Sequence, residues 1–224
     1  FFAAVAGWGL GAARNVPFVF ELGDLWPASI VAVGALHEGL SLRMMEKLEL
    51  YLYRRSECVV VLTGAFKENL TARGTSPAKI AVVVNGVDLS RYGPRPRDKG
   101  LAEMWGLEGC FVVGYVGTHG MAHALGSVLD AADRMRHVER LRFILVGSGA
   151  ERTKLMTEAR QRRLDNVIFM PPQPKDDIAA VWSLCDVALV HLRNSPVFRE
   201  VIPSKMFEAM GMGLPLMVAS PDGE

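Results

Sequence analysis

Short apolar runs alternate with longer segments of helical period along this chain. Pro17–Glu21 (PFVFE), Cys58–Leu62 (CVVVL), Ile80–Val84 (IAVVV), Phe111–Val116, Arg142–Val146, Val167–Met170, Val187–His191 and Leu216–Ala219 are short and bounded by turn residues. Runs of this kind predict buried strands. Between them, Leu36–Arg55 carries apolar residues at 36, 40, 44, 45, 48, 51 and 52, the period of an amphipathic helix. Further helices are predicted at Gly64–Arg73, with Thr63 as its cap, and at Ala124–Arg136, Ala150–Arg163, Lys175–Leu184 and Pro203–Met210. Such alternation predicts an α/β fold of parallel sheets covered on both faces. The charged, turn-rich stretch Gly93–Gly100 reads as a linker, after which the alternation restarts. Two Rossmann-like domains are therefore expected, at 1–107 and 108–224, with no internal repeat and no low-complexity segment.

The apolar opening, Phe1–Ala13, has the length of a signal h-region but no basic segment before it, and is too short to span a bilayer. It reads as a helix cut from a larger domain. At the other end the chain stops at Pro221-Asp222-Gly223-Glu224, directly after a strand. The 25 basic and 24 acidic residues leave a net charge of +1, which argues against nucleic acid as a main partner. Cys58, Cys110 and Cys185 have no metal-ligand spacing. Each lies beside an apolar run and is expected to be a buried thiol, which fits a cytoplasmic protein.

The candidate chemistry is densest in Arg199–Pro215 (REVIPSKMFEAMGMGLP). Pro203 suits a first helical turn, Met206, Phe207 and Met210 recur at helical spacing, and Gly211, Gly213 and Pro215 stop the helix. Glu200 is thereby expected just before the helix and Glu208 inside it. The first-turn amides around Pro203 and Ser204, the positive end of the dipole and Lys205 fall between them. That arrangement suits a nucleoside diphosphate flanked by hydroxylated groups. Glu208 also sits among apolar residues, where a carboxylate needs a partner. A solvated surface pair is the alternative for either glutamate.

In doubly wound sheets, ligands bind beyond the carboxyl ends of the strands. Two loops of the second domain are expected there. Gly114–His123 offers Gly117 and Gly120 for close backbone approach and Thr118, His119 and His123 as donors; a tight turn with exposed histidines is the alternative. Val146-Gly147-Ser148-Gly149 is a Gly-x-Gly turn lacking the third glycine of a dinucleotide fingerprint. Arg193 and Arg199, in the loop leading to Glu200, are candidates to face phosphate or ordinary solvated charges.

The successive runs FVVGYVGTHG, FILVGSGAERTKL, NVIFMPPQPKDDIAAVWSLCDVALVHL and EVIPSKMFEAMGMGLP resemble, in order and spacing, the family-4 retaining glycosyltransferases of GT-B fold. CVVVLT and VVNGVDLSRY in the first domain are similar to that family as well, and VPFVFELGDLWP resembles its bacterial O-antigen and capsule branch. The resemblance implies a chain running from about the middle of an N-terminal domain, truncated at its start, through most of a C-terminal domain without its last helices. It implies that Glu208 binds the nucleotide ribose, that Glu200 contacts the donor sugar, that Ile202–Lys205 lies along the diphosphate, and that the Gly117 loop approaches it. Thr118 stands where many members carry Arg, and His123 near an expected Lys, so positive charge must come from Lys205, Arg199 or Arg193. Gly23-Asp24 replaces a His-Asp pair, leaving Asp24 and Glu21 as polar candidates facing the acceptor; Asp24 is alternatively a turn former. Glu200 and Asp24 are the residues expected nearest the chemistry.

The implied reaction moves a sugar, with retention, from a nucleoside diphosphate sugar to a glycan or lipid-linked acceptor in surface polysaccharide biosynthesis, with UDP the expected carrier. A helix N-terminus and nearby cations would stabilise the departing diphosphate. No cofactor beyond this co-substrate is expected and, with no Asp-x-Asp pair, no metal. The donor's own phosphate oxygen would serve as base, without the paired carboxylates of a glycosidase. Residues 93–100 are expected to contribute to a hinge. Peripheral contact with the cytoplasmic membrane is a further expectation, since the 36–55 helix sets Arg43, Lys47, Arg54 and Arg55 beside apolar residues. Glu38, Glu46 and Glu49 dilute that charge, and an ordinary domain helix with one buried face is the favoured alternative. A nucleotide-sugar epimerase on the same scaffold and a non-catalytic sugar-nucleotide-binding fragment remain as alternatives.

Overall fold

The computed structural model describes residues 2–37 and 39–221. Phe1, Glu38 and the closing Asp222-Gly223-Glu224, which entered the readings of the opening helix, the 36–55 helix and the chain end, lie outside the described residues. The chain divides into two units: Phe1–Asn85 with Asn194–Ile202 and Pro221–Glu224, and Gly86–Arg193 with Pro203–Ser220.

Unit 1 contains α1 (Phe2–Arg14), β1 (Val19–Leu22), α2 (Ala28–Ala32), α3 (Leu40–Arg55), β2 (Cys58–Val61), α4 (Gly64–Ala72) and β3 (Ile80–Val82). Its strands form a parallel sheet in the order β1-β2-β3. Thr63 caps α4 as expected, its hydroxyl accepting a 3.1 Å bond from the Phe66 N–H, one of the amides a helix leaves without a partner. Phe20, Leu52, Tyr53, Val59, Phe66 and Leu70 form the buried core. The 36–55 helix starts only at Leu40, because Gly39 breaks the pattern ahead of it. Its inward face includes Glu49, Leu52 and Tyr53, while Leu40, Met44 and Leu48 stay exposed at 77%, 63% and 37%. The stretch after β1 runs on into α2, whose five residues are too few to announce themselves in the sequence. A 3-10 turn, Pro196–Glu200, also belongs to this unit: Phe198 is buried and Val201 packs on the same core.

Unit 2 contains α5 (Lys99–Met104), β4 (Phe111–Val116), α6 (Gly126–Arg134), β5 (Leu141–Val146), α7 (Arg152–Gln161), β6 (Val167–Met170), α8 (Ile178–Ser183), β7 (Val187–His191), α9 (Ser204–Gly211) and β8 (Leu216–Ala219). The parallel sheet runs β6-β5-β4-β7-β8, reversing direction between β4 and β7. Alternation along β4 sends Val112 and Val116 to one core, with Trp182 and Ala209, and Val113 and Tyr115 to the other, with Leu125 and Leu129.

Residues 86–107, expected in the first domain, group with unit 2, and 93–100, expected as a linker, is anchored there. Tyr92, Ala102 and Leu107 are buried in the unit 2 core, Asp98 caps α5 by accepting the Leu101 N–H at 2.9 Å, and Arg97 donates to the Leu107 carbonyl at 3.0 Å. A few anchors fastened a segment whose average composition is polar. Among the cysteines only Cys185 is buried; Cys58 and Cys110 are half-buried because they lie at or beside the starts of strands, close to solvent.

Gly114, in the middle of β4, faces Cys185, and an added Cβ would collide with its Sγ. We expect Gly114→Ala to destabilise the protein by about 1–3 kcal/mol, the usual range for overpacking. Cys185→Ala in the same chain should recover much of that loss, as a double-mutant cycle in urea would report.

Candidate active site

The carboxyl ends of β4 and β5 carry the two glycine turns of unit 2. Gly117 and Gly147 have φ values of +147° and +142°, where a side chain is strained. The turns are tied together by backbone bonds. The His119 N–H donates to the Ser148 carbonyl at 2.7 Å, and the Glu151 N–H donates to the His119 carbonyl at 2.9 Å. A Cβ on Gly147 would strike the Gly117 carbonyl, so the two chains approach as closely as backbones can. A cavity of about 240 Å³ opens beside them, lined by Gly117, Thr118, Gly147, Ser148, Pro172 and Gln173.

Helix α9 brings in the charged groups. Pro203 is its cap, at φ −64° and ψ 129°, rather than its first helical residue, so Ser204 and Lys205 open the first turn. The Lys205 Nζ donates to the Tyr115 hydroxyl at 2.7 Å and lies 4.0 Å from the centre of that ring. The hydroxyl in turn donates to the Thr118 carbonyl at 2.7 Å. Gly117 leaves the room for this: a Cβ there would stand 3.0 Å from the Lys205 Nζ. Burial lowers the Lys205 ammonium to about 7, with Glu208 pulling the other way. One turn along, Glu208 has the partner its apolar setting demands, accepting from the Trp182 Nε1 at 3.2 Å.

The histidines behave differently from donors on a surface. His119 is fully buried, and neither ring nitrogen meets a well-aligned partner. Burial, then Arg152 and Lys205, lower it to about 4. The alternative that it sits exposed is corrected on this point: its carbonyl and N–H knit the turns, and its ring packs against Phe169. His123 is also lowered to about 4, chiefly by burial. Its Nδ1 lies 3.3 Å from the His191 carbonyl, while the His191 Nδ1 lies 2.8 Å from the His123 carbonyl. Neither His119 nor His123 carries charge at neutral pH. Gly120 leads into the 3-10 turn that holds His123. Arg193 is half-buried in unit 2, its N–H bonded to the Ala122 carbonyl at 2.8 Å.

Glu200 lies just before α9 and Glu208 inside it, as the spacing suggested, while Glu200 and Arg199 group with unit 1. The 3-10 turn ends at Glu200 and is fastened to α4. The Thr63 hydroxyl donates to the Glu200 carbonyl at 2.8 Å, and the Asn69 Nδ2 donates to the Glu200 Oε1 at 3.1 Å. The second carboxylate oxygen is buried without a bond, and burial raises the carboxyl above its usual range. Arg199 is exposed. Glu21 and Asp24 line a separate unit 1 cavity of about 430 Å³ with Trp26, Glu49 and Tyr53. Desolvation raises the Asp24 carboxyl, opposed by the Ser29 hydroxyl. Glu49 is spent internally, on the Tyr53 hydroxyl at 2.6 Å and on Arg73.

Sequence reasoning missed Tyr115, Trp182, Asn69 and the Pro172-Gln173 turn. Only Trp182 carried a signal, as an indole whose N–H needs a buried partner. Among the described residues no group of three or more His, Cys, Asp or Glu is placed to hold a metal, and no helix is long and apolar enough to cross a membrane.

Two α/β units with parallel sheets, the second carrying paired glycine turns beside a helix N-terminus, place the chain in the doubly wound α/β class. Residues 110–223 match the family model of the glycosyl transferases group 1, and residues 1–91 match that of Glycosyltransferase Family 4; the chain belongs to this glycosyltransferase family. It is 24% identical over 193 residues to the Escherichia coli (strain K12) protein named as the colanic acid biosynthesis glycosyltransferase WcaL, covering 83% of this chain and 46% of that one. It is 25% identical over 173 residues to a GDP-mannose-dependent alpha-mannosyltransferase of Mycobacterium tuberculosis (strain CDC 1551 / Oshkosh), covering 77% and 42%. Among solved structures, Anabaena Alr3699/HepE in complex with UDP and glucose shares the fold, with a TM-score of 0.78 at 22% identity over 98% of this chain and 57% of that one. The GT-B expectation for the fold is thus met. The chain spans between 25% and 49% of the length of the first curated relatives it matches.

The lowered Lys205 gives a signed pH dependence. Folded, it releases its proton near 7; unfolded, it holds it to about 10.4. Between those values the unfolded chain binds more protons, so this group makes stability rise with pH across that window. Lys205→Met should therefore gain in thermal midpoint relative to wild type near pH 7, and gain less near pH 10.

Proposed function

We propose that the protein is a retaining glycosyltransferase that moves a sugar from a nucleoside diphosphate sugar, UDP being the expected carrier, to a glycan or lipid-linked acceptor in surface polysaccharide biosynthesis. The observation that carries this reading is the convergence of the Gly117 and Gly147 turns with Lys205, Glu208 and the first turn of α9 in one unit. The backbone of the turns gives phosphate a close approach, and the dipole of α9 with Lys205 supplies positive field where leaving-group charge develops. Glu208, held by Trp182, accepts bonds from ribose hydroxyls. Glu200 contacts the donor sugar, and Asp24 and Glu21 face the acceptor. Retention proceeds by return of the acceptor on the leaving face, with the departing phosphate oxygen taking the acceptor hydroxyl's proton as the new glycosidic bond forms. No step calls for a metal, because Lys205 and the helix dipole meet the charge. The glucose and UDP in the HepE structure support a UDP-sugar, while the GDP-mannose of the mycobacterial relative makes GDP the competitor to test.

Calorimetry with UDP, GDP and ADP checks the site. One nucleotide should bind, and Glu208→Ala should weaken it at least about tenfold, or 1.4 kcal/mol. Binding indifferent to Glu208 would remove the ribose from this site. Transfer of labelled sugar to an acceptor, rather than acceptor-independent epimerisation, separates the transferase from an epimerase.

Peripheral membrane contact is supported by α3, where exposed Leu40, Met44 and Leu48 share the helix with exposed Arg43, Lys47, Arg54 and Arg55. On this reading the protein co-sediments with vesicles containing anionic lipid. The paired substitution Met44→Glu and Leu48→Glu should release it by about tenfold or more, since both lost apolar area and added charge oppose binding.

A further inference from the structure

Lys205 stands in an unusual setting for a group that must meet a diphosphate. Among the described residues it makes no ion pair, and it donates a hydrogen bond to the Tyr115 hydroxyl. The groups that face it are Tyr115 from β4, His119 and His123 from the following loop, His191 from β7 and Glu208 from its own helix. Arg152 from α7 adds its charge at His119. All three histidines are held below their ordinary value by burial, so around neutrality the pocket holds one titrating cation.

A lysine with four rotatable bonds, no carboxylate partner and a desolvated head has little to fix its position unless another group does so. Tyr115 supplies that group. It is fully buried, its ring is clamped in the second core of unit 2, and its hydroxyl is committed on both sides, accepting from Lys205 and donating to the Thr118 carbonyl. The hydroxyl therefore links the end of α9 that carries the charge to the loop that approaches the ligand. Gly117 keeps the space between them open.

We propose that Tyr115 is a positioning residue of the donor site, whose hydroxyl holds the Lys205 ammonium against the Gly117–Thr118 turn as the counter-charge to the donor diphosphate. The inference rests on the proposed donor-binding reading of this site. It explains how the chain manages with Thr118 and His123 where its sequence offers no strong cation: a single lysine, fixed in place, serves instead of several mobile ones. It also carries a proton consequence, since a diphosphate seated on Lys205 favours the charged amine and draws a proton from solvent above neutrality.

The test measures UDP and uridine affinity from pH 6 to 9 for the full chain, Tyr115→Phe, Lys205→Met and the double variant. Tyr115→Phe should bind UDP about tenfold more weakly while uridine is unchanged, because the lost contact acts only through the diphosphate. The double variant should bind UDP no more weakly than Lys205→Met alone. Titrations at pH 8 in buffers of different ionisation enthalpy should show proton uptake that Lys205→Met abolishes. If Lys205→Met weakens UDP and Tyr115→Phe does not, the positioning role is overturned and the donor site stands. Equal loss of UDP and uridine in Tyr115→Phe marks a structural role and overturns it likewise. If UDP fails to bind, or binds without regard to Lys205, the proposal falls together with the placement of the diphosphate at α9.

Discussion

The close approach of two backbone turns governs the rest of unit 2. Where β4 and β5 end, Gly117 and Gly147 stand nearer than any side chain would permit, and bonds between His119, Ser148 and Glu151 hold the turns in register. That constraint fixes the direction in which the loop after β4 leaves the sheet. It thereby sets the Thr118 carbonyl where Tyr115 reaches it and the space that Lys205 enters. The sheet's reversal between β4 and β7 then brings α9 to the same end. Charge, dipole and glycine backbone thus meet through topology, with few dedicated side-chain bonds.

Much of this was legible in the chain. The strand runs and the longer helices stand close to where their period placed them, because an apolar run bounded by glycine and proline has few other ways to be buried. Glu208 was legible for a related reason: a carboxylate inside an apolar helix announces a missing partner, and Trp182 is that partner. Tyr115 was not. In a buried strand a tyrosine looks like any large apolar residue, and only the fold shows where its hydroxyl ends. The 86–107 segment misled for the opposite reason, its prolines and charges concealing the few apolar anchors that tie it to unit 2.

Glu200 has partners that its spacing along the chain does not reveal. Eight positions from Glu208 along the chain, it ends a turn that packs with unit 1, fastened through its carbonyl to Thr63 and through its carboxylate to Asn69. Sequence separation could not reveal this, because Asn69 and Glu200 lie 131 positions apart. The same hydroxyl of Thr63 caps α4 and holds Glu200, so one small residue couples the start of a helix to a candidate sugar contact.

The discontinuity of unit 1 bears on how the protein is made. Val201 packs on a core whose buried members, from Phe20 to Ile80, leave the ribosome far earlier. Domains tend to fold as they emerge, the N-terminal one first. Here the early unit must wait, with an apolar seat uncovered, until nearly all of the later one has been translated. A polypeptide arranged in this way ties the maturation of its first unit to the synthesis of its second, and a ribosome stalled before residue 201 would leave that first unit unfinished.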